Sequence, residues 1–203
     1  MTVCLATLLN WNYGTREAPS VGKAALVMSD RKITAGDVEY EPNQQKIAIM
    51  PGRATLIAIA GEVSIHSEAI KRTYDQSTGI TNASPYQIAT FYGQAIQAIK
   101  RRQAEDLYLA PLGLNTDTFV AQQRDYSDKF VDRITDQLQQ YNGADVEGLV
   151  VGCDGERLHI LQLDSRGNIS AMDDIGFAAI GIGSWHARSR LMQSGYVNTH
   201  GYS

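Results

Sequence analysis

The order of apolar segments limits the folds that this chain of 203 residues can adopt. Short apolar runs bounded by turn residues fill both ends of the chain, whereas the middle carries longer segments with helical spacing. Strands joined by tight turns and kept apart from the helices form antiparallel sheets, because a parallel pair needs a long crossover between its strands. The order therefore predicts an α+β fold with antiparallel sheet rather than an alternating βαβ fold.

Strands are predicted in two groups, one near each end of the chain. Turn formers between Asn10 and Gly22 predict a connection between the first two strands. Pro51-Gly52 and Asp154-Gly155 predict hairpin turns, since these residues suit the backbone of a tight turn. The predicted strands cover residues 2–9, 24–28, 46–50, 54–60, 146–153, 158–163, 168–172 and 177–181.

Three helices are predicted between the two groups of strands, at 63–74, 84–110 and 117–141. Ser84-Pro85 gives the second helix an N-cap and a proline at its first position. Asn142-Gly143 ends the third helix, in which apolar residues recur every four positions. The second helix has apolar residues on more than one face, which favours self-association: Phe91, Tyr92, Ile96, Leu107, Tyr108 and Leu109.

The composition is that of a globular protein and argues against several function classes. Lys and Arg number 18 against 22 Asp and Glu, and this net charge of −4 is not that of a general nucleic-acid binder. No apolar stretch reaches the roughly 18 residues of a membrane span, and the N-terminus does not have the pattern of a signal peptide. We therefore expect a soluble, cytoplasmic protein with one domain over residues 1–203.

The cysteines and histidines do not predict a metal site or a disulfide framework. Cys4 and Cys153 each lie in an apolar run, which is typical of a buried, inert thiol. His159, His186 and His200 are far apart and lack the spacing of metal ligands.

The start of the chain carries the first candidate for chemistry. Methionine is normally trimmed before a small residue, so we expect the mature chain to begin at Thr2. An N-terminal Thr places a hydroxyl nucleophile beside a free α-amine, whose reference pKa is about 7.7–8.0. That amine can act as a general base near neutral pH, which makes Thr2 a candidate nucleophile.

Three further candidates stand at the ends of predicted strands. Asp30 follows an apolar strand, Lys46 opens another, and Gly61 ends a strand before a helix. A carboxylate at a strand end can be aimed into a cleft, and a glycine leaves its backbone open to a ligand. Taken singly, Asp30 also suits a solvated loop, Lys46 an exposed surface position, and Gly61 a turn that leads into a helix.

Together these residues resemble the proteasome β-subunit family, which includes the bacterial peptidase HslV. The resemblance lies in Thr2 to Ala6, in SDRKITAGD at 29–37, in Lys46-Ile47, in AIAGE at 58–62 and in GIGS at 181–184. It covers 2–74 well and 146–192 more loosely. It implies the N-terminal-nucleophile αββα sandwich, in which two antiparallel sheets stack between layers of helices.

The resemblance also implies a role for each matching residue. Thr2 is the implied nucleophile, and its own amine is the base. Lys46, oriented by Asp30, would favour the alkoxide and keep the amine neutral through the repulsion of like charges. The N–H of Gly61 would form the oxyanion hole, and backbone groups of Thr34 and Gly61 would bind the substrate as an added strand.

Three features depart from the family pattern. The connection Asn10 to Gly22 is longer than the family's tight turn. Ile182 stands where the family has a serine that supports the nucleophile, and Ser184 is a partial substitute. The family continues after its glycine-serine stretch with elements that carry a supporting Asp and Ser, for which this sequence has no matching positions. We expect either a shortened chain or an incomplete active site.

The resemblance implies a threonine-type peptidase that cleaves peptide bonds through an acyl-enzyme on Thr2. One alternative is a non-catalytic proteasome-like assembly subunit, which Ile182 favours. Another is a small-amide hydrolase, because a fold does not fix its substrate.

The partners that the resemblance implies are other copies of the chain, in a ring or a helical stack, and peptides or unfolded proteins as substrates. An ATP-dependent unfoldase could regulate such an assembly, although no residue of the chain indicates one. No cofactor, metal, nucleic acid or membrane is implied.

Overall fold

Two antiparallel sheets lie face to face in a computed structural model of the chain, and helices lie on their outer surfaces. The structure describes residues 3–12, 21–30, 33–35, 38–40, 46–50, 54–155 and 157–194, with side chains except at 11, 12, 21, 33–35 and 38–40. The strands are β1 (Cys4–Asn12), β2 (Val21–Ser29), β3 (Ile33–Ala35), β4 (Val38–Tyr40), β5 (Ile47–Ile49), β6 (Thr55–Gly61), β7 (Val146–Asp154), β8 (Arg157–Leu163), β9 (Ile169–Ala171) and β10 (Phe177–Ile180). The helices are α1 (Val63–Ser77), α2 (Pro85–Tyr108), α3 (Thr116–Gln122), α4 (Asp128–Gln140) and α5 (Ser184–Gln193).

Each sheet combines strands from both ends of the chain. The larger sheet has the order β5-β6-β7-β8-β9, and the smaller sheet has the order β10-β1-β2. In the larger sheet Gly61 of β6 lies opposite Val146 of β7, and in the smaller sheet Cys4 lies opposite Ile180. The strands β3 and β4 pair with each other, with Ile33 opposite Tyr40, in a region where the sequence predicted no strand.

The alternation of side chains along β6 shows how one strand serves two layers. Ala58 and Ala60 face the smaller sheet, whereas Ile57 and Ile59 face α1 and α2. The residues at 149–151 and 160–161 divide in the same way between the two apolar clusters. On the smaller sheet, α5 packs against β10. This layering confirms the predicted αββα sandwich.

The helix α2 begins as the sequence predicts. The Ser84 hydroxyl accepts from the Gln87 N–H, and the Gln87 side chain accepts from the Ser84 N–H, which completes a capping box ahead of Pro85. The argument for self-association from this helix is largely wrong. Tyr92, Ile96 and Leu109 are fully buried within the chain itself, and Leu107 is the most exposed of the six apolar residues.

The prediction of one continuous third helix over 117–141 is wrong. α3 is followed by a 3₁₀ turn at Gln123–Asp125 and then by extended backbone at Tyr126, before Ser127 opens α4. The four-residue apolar spacing crosses this break because Tyr126 and Phe130 still pack together, with ring centroids 5.1 Å apart. Among the helices in the described ranges, none is long and apolar enough to cross a membrane.

The first hairpin is longer than the sequence predicts. β1 continues to Asn12 and β2 begins at Val21, so part of the predicted connection pairs as sheet, with Asn10 opposite Lys23. Residues 13–20 of that connection lie outside the described ranges. Polar residues such as Asn10 are compatible with this pairing because the hairpin supplies partners for their backbone groups.

The backbone of α2 touches the turn between β8 and β9 at two glycines. A Cβ on Gly93 would lie 2.5 Å from the Gly167 carbonyl oxygen, and Gly167 has a φ of +77°, which favours glycine. The two glycines therefore set the distance between the helix and this turn.

We expect Gly93→Ala to lower the free energy of unfolding by about 2 kcal/mol, because the helix or the turn must move to admit the methyl group. Equilibrium unfolding in urea measures the change. Gln94→Ala, on the adjacent exposed position, is the matched control and should stay within about 0.5 kcal/mol of the wild type. Equal stability of both variants would contradict the close backbone contact.

Candidate active site

Asp30 binds two residues that are distant from it in the sequence, Val3 and Lys46. One carboxylate oxygen, Oδ1, accepts a hydrogen bond from the Lys46 ammonium at 2.8 Å and from the Val3 N–H at 3.2 Å. The Asp30 N–H in turn donates to the Val3 carbonyl oxygen at 3.1 Å. The sequence placed Asp30 and Lys46 in one site, and the structure brings them together.

The strands explain why these residues meet. Asp30 follows β2, which pairs with β1 so that Ser29 lies opposite Cys4, and this places Asp30 beside Val3. Lys46 precedes β5, and its carbonyl oxygen accepts from the Ile59 N–H of β6 at 2.9 Å. The ion pair therefore links the smaller sheet to the larger one.

The Lys46 side chain is only 7% exposed, and that of Asp30 is 23% exposed. A buried ammonium without a counter-ion would be costly, since its hydration is lost. The Asp30 carboxylate supplies a counter-charge. This explains how a lysine, which is usually exposed, can be buried here.

Thr2, the predicted nucleophile, lies outside the described residues. Its neighbour Val3 is the residue that Asp30 binds. The predicted substrate-binding residue Thr34 lies in β3 opposite Glu39, and its side chain is likewise outside the description.

A cleft of about 790 Å³ opens beside Lys46. Its described lining comes from the end of β6 and the start of α1, from the start of β7, from the turn after β8, and from the segment between β10 and α5. The lining residues are Lys46, Ile59, Ala60, Gly61, Glu62, Val63, Asp145, Glu147, Asp164, Ser165, Gly181, Ile182, Ser184 and Trp185. Lys46, Gly61 and Ser184, three of the predicted site residues, thus share one cleft.

Gly61 occupies a position that no other residue fits. Its φ is +105°, and a Cβ would lie 2.1 Å from the Asp145 carbonyl oxygen. The next residue, Glu62, donates its N–H to that same oxygen at 3.0 Å. The turn that carries Gly61 is therefore fixed against the start of β7. Its role as an oxyanion hole stays a prediction.

Sequence reasoning missed Glu147, which connects two walls of the cleft. Glu147 lies on β7 opposite Ala60, and its Oε2 accepts from the Gly181 N–H at 2.7 Å. Gly181 has a φ of +86° and begins the turn that leads to Ser184, the first residue of α5. A charged residue inside the apolar run of β7 is the signal that could have found it.

Ile182 and Ser184 differ in how they lie on this turn. The Ile182 side chain is 79% exposed, whereas Ser184 is half-buried. Both line the cleft. The position where the resembled family has a supporting serine therefore carries an exposed apolar group here.

His66 binds the backbone at the end of β6. Its Nε2 donates to the Ala60 carbonyl oxygen at 2.9 Å, so its Nδ1 accepts from the Tyr92 hydroxyl. Burial lowers the pKa of His66, which keeps the imidazole neutral and suited to these two bonds. The bonds position the backbone immediately before Gly61.

Cys4 is buried within the sandwich and donates its thiol to the Ile59 carbonyl oxygen at 3.2 Å. Burial raises the pKa of the Cys4 thiol to about 11, and the nearby Lys46 ammonium opposes part of that rise. The nucleophilic form of a cysteine is the thiolate, so Cys4 is a core residue and a poor nucleophile.

Within the described part of the chain, no group of three or more His, Cys, Asp or Glu residues could hold a metal ion. His159 instead lies between two carboxylates, outside the cleft. Its Nδ1 is 2.7 Å from Asp173, and its Nε2 is 2.9 Å from Asp154 but without the geometry of a hydrogen bond. Burial lowers the pKa of His159, but the hydrogen bond to Asp173 and the negative charges of Asp173 and Asp154 outweigh it and raise the pKa overall.

Comparison with protein-family models finds no match, and comparison with curated proteins finds none either. Solved structures do match. A mutant of Anbu from Hyphomicrobium sp. strain MC1 has 15% sequence identity and a TM-score of 0.56, and the match covers 95% of this chain and 65% of that one. Anbu, described as an ancestral beta-subunit, from Yersinia bercovieri has 17% identity and a TM-score of 0.55, with 94% and 65% covered.

These likenesses show the fold, which is shared with the Anbu structures. At 15% and 17% identity they do not establish membership of the proteasome β-subunit and HslV family. The chain spans 65% of the length of either Anbu chain.

We expect Asp30→Ala to lower the free energy of unfolding by about 2–3 kcal/mol, because the buried Lys46 ammonium loses its ion pair with the Asp30 carboxylate. Urea unfolding measures the loss. The double variant Asp30→Ala/Lys46→Met should recover most of it, since the Lys46 charge is removed together with the Asp30 charge. A single variant within about 0.5 kcal/mol of the wild type would show that the ion pair is not structural.

We expect the Cys4 thiol to resist modification in the folded protein. With a pKa of about 11, roughly 0.1% of it is thiolate at pH 8, and labelling should rise about tenfold per pH unit below pH 11. An aromatic disulfide reagent applied to Cys153→Ser, which keeps only Cys4, tests this. Cys4→Ser, which keeps the half-buried Cys153, is the control and should react faster. Rapid reaction of Cys4 without denaturant would contradict its burial.

Proposed function

We propose that the chain is a threonine-type peptidase subunit that cleaves peptide bonds through an acyl-enzyme on Thr2. The observation that carries the proposal is the shared Asp30 oxygen, which binds both the Val3 N–H and the Lys46 ammonium. It holds a buried positive charge next to the residue that follows Thr2, at the edge of a cleft that is large enough for a peptide segment.

In the proposed reaction, removal of Met1 frees the α-amine of Thr2. The Thr2 hydroxyl attacks the carbonyl carbon of the substrate, and its proton passes to that α-amine. The Lys46 ammonium stabilises the negative charge that develops on the oxygen and disfavours prior protonation of the amine. Asp30 orients Lys46 and offsets its charge.

The tetrahedral intermediate needs a donor for its oxyanion. We assign this to the N–H of Gly61, because Gly61 lines the cleft together with Lys46. The Ser184 hydroxyl is the candidate supporting group from the turn after β10. Backbone groups of Thr34 and Gly61 would align the substrate as an added strand.

The intermediate collapses when the peptide C–N bond breaks and the α-ammonium returns its proton to the leaving amine. Thr2 is then an ester of the acyl fragment. A water molecule attacks this ester, the α-amine accepts the water proton, and the proton passes to the Thr2 oxygen as the carboxylic product leaves. The cycle needs no cofactor.

A non-catalytic assembly subunit is the second candidate, and the exposed Ile182 favours it. A small-amide hydrolase would use the same steps on a shorter substrate. For each of these functions we propose assembly of several copies, in a ring or a helical stack, as the likeness to an ancestral beta-subunit supports. Only the peptidase proposal includes an ATP-dependent unfoldase as a partner.

We expect Thr2→Ala to reduce hydrolysis of short fluorogenic peptides by at least about 10³-fold, because the nucleophile is lost. Lys46→Ala should lose nearly as much, and the double variant little more, since both residues serve one step. Lys46→Arg should also fail, because the guanidinium fork cannot replace a compact ammonium. Thr2→Ser, which keeps a hydroxyl, is the matched control and should retain measurable turnover.

Intact-mass measurement of the wild type should show that Met1 is lost, because Thr2 has no free amine while Met1 is present. Turnover that Thr2→Ala leaves unchanged would falsify the peptidase proposal. A wild type that neither hydrolyses peptides nor reacts with an electrophile selective for N-terminal threonine would favour the assembly subunit.

A further inference from the structure

Carboxylates dominate the charge of the cleft beside Lys46. Glu62, Asp145, Glu147 and Asp164 line it, and Lys46 is the single cation among its described lining residues. Asp30 already offsets the Lys46 charge at 2.8 Å. Lys100 interacts electrostatically with Asp145 and Asp164, and Arg166 with Asp164, which offsets part of their charge. Among the described residues the carboxylates still outnumber these cations, so they make the field in the cleft negative, and the walls of a cleft concentrate such a field.

The four carboxylates differ in how they are used. Asp164 accepts hydrogen bonds within its own turn, Glu62 caps α1, and Glu147 holds the Gly181 N–H through one oxygen. Asp145 is exposed, and its backbone carbonyl is the group that binds Glu62. Its carboxylate is accessible to a ligand because Asp145 is exposed, and Lys100 is near enough to interact with it.

The same cleft has an apolar rim. Ile182 is 79% exposed and Trp185 is 78% exposed, although both residues line the cleft. Large apolar side chains that remain this exposed at the edge of a cleft are typical of a binding surface. A tryptophan face also attracts cations, most often a guanidinium.

We propose that the cleft selects peptides with a basic side chain, arginine above lysine, close to the scissile bond. An arginine side chain has an apolar stem that fits Ile182 and Trp185 and a cationic head that fits the carboxylates, with Asp145 foremost. The inference rests on the proposed function, since it takes the occupant of the cleft to be a peptide.

Binding rather than cleavage tests this selectivity. The Thr2→Ala variant is titrated with dye-labelled, capped peptides that are identical except for one central residue, which is Arg, Leu or Glu, and fluorescence anisotropy gives each Kd. We expect the Arg peptide to bind about tenfold or more tightly than the Glu peptide at low salt. The preference should shrink in 1 M salt, where the Debye length falls to about 3 Å.

Two variants on the Thr2→Ala background identify the source of the preference. Asp145→Asn should reduce the ratio of the Arg to the Glu affinity about threefold or more, because one cleft charge is removed. Asp136→Asn removes the same charge from an exposed position on α4, away from the cleft lining, and should leave the ratio unchanged. Trp185→Ala should weaken the Arg peptide more than the Leu peptide.

The outcomes separate this inference from the proposed function. Equal binding of the three peptides, no binding at all, or equal effects of Asp145→Asn and Asp136→Asn would overturn the selectivity. If the wild type also cleaves all three equally well, the peptidase proposal stands without it. If Arg peptides bind selectively but the wild type cleaves none, the selectivity stands and the peptidase proposal fails.

Discussion

The ion pair between Asp30 and Lys46 is the contact on which the candidate site depends. Asp30 belongs to the edge of the smaller sheet, and Lys46 enters the larger one, so the pair crosses the interface of the sandwich. Both residues lose hydration there, and the attraction between their opposite charges offsets part of that cost. Any arrangement of the sheets that separated them would deprive the buried ammonium of the Asp30 carboxylate, so the pair helps to specify how the two sheets stack.

Much of the fold could be predicted from local patterns. The Ser84-Pro85 start of α2 and the hairpin at Asp154-Gly155 depend on neighbouring residues. The structure has both, although Asp154 is the last residue of β7 and lies opposite Arg157. The break before α4 escaped prediction because the packing of Tyr126 on Phe130 preserves the helical spacing across it. The pairing of Asn10 with Lys23 escaped because turn-forming residues can be strand residues when a partner strand satisfies them.

The site was less predictable than the fold. Asp30, Lys46 and Gly61 were found through a resemblance, since each alone suits an ordinary surface role. Glu147 was missed because its partner, the Gly181 N–H, lies in a different part of the sequence. Contacts between distant segments leave no local pattern, whereas caps and turns do. The roles of these residues in catalysis stay predictions, because likeness in fold to Anbu does not carry an activity with it.

The pairing of strands from opposite ends of the chain has a kinetic consequence. β1 must find β10, with Cys4 beside Ile180, and β6 must find β7 across all the intervening helices. Pairings of such high contact order form slowly, since the entropy of closing a long loop is lost before the contacts repay it. The helical middle can form early, but the walls of the cleft come together only when both ends of the chain have met. During synthesis the cleft is therefore among the last features to form, and the apolar edge of β6 stays unpaired until β7 has been made.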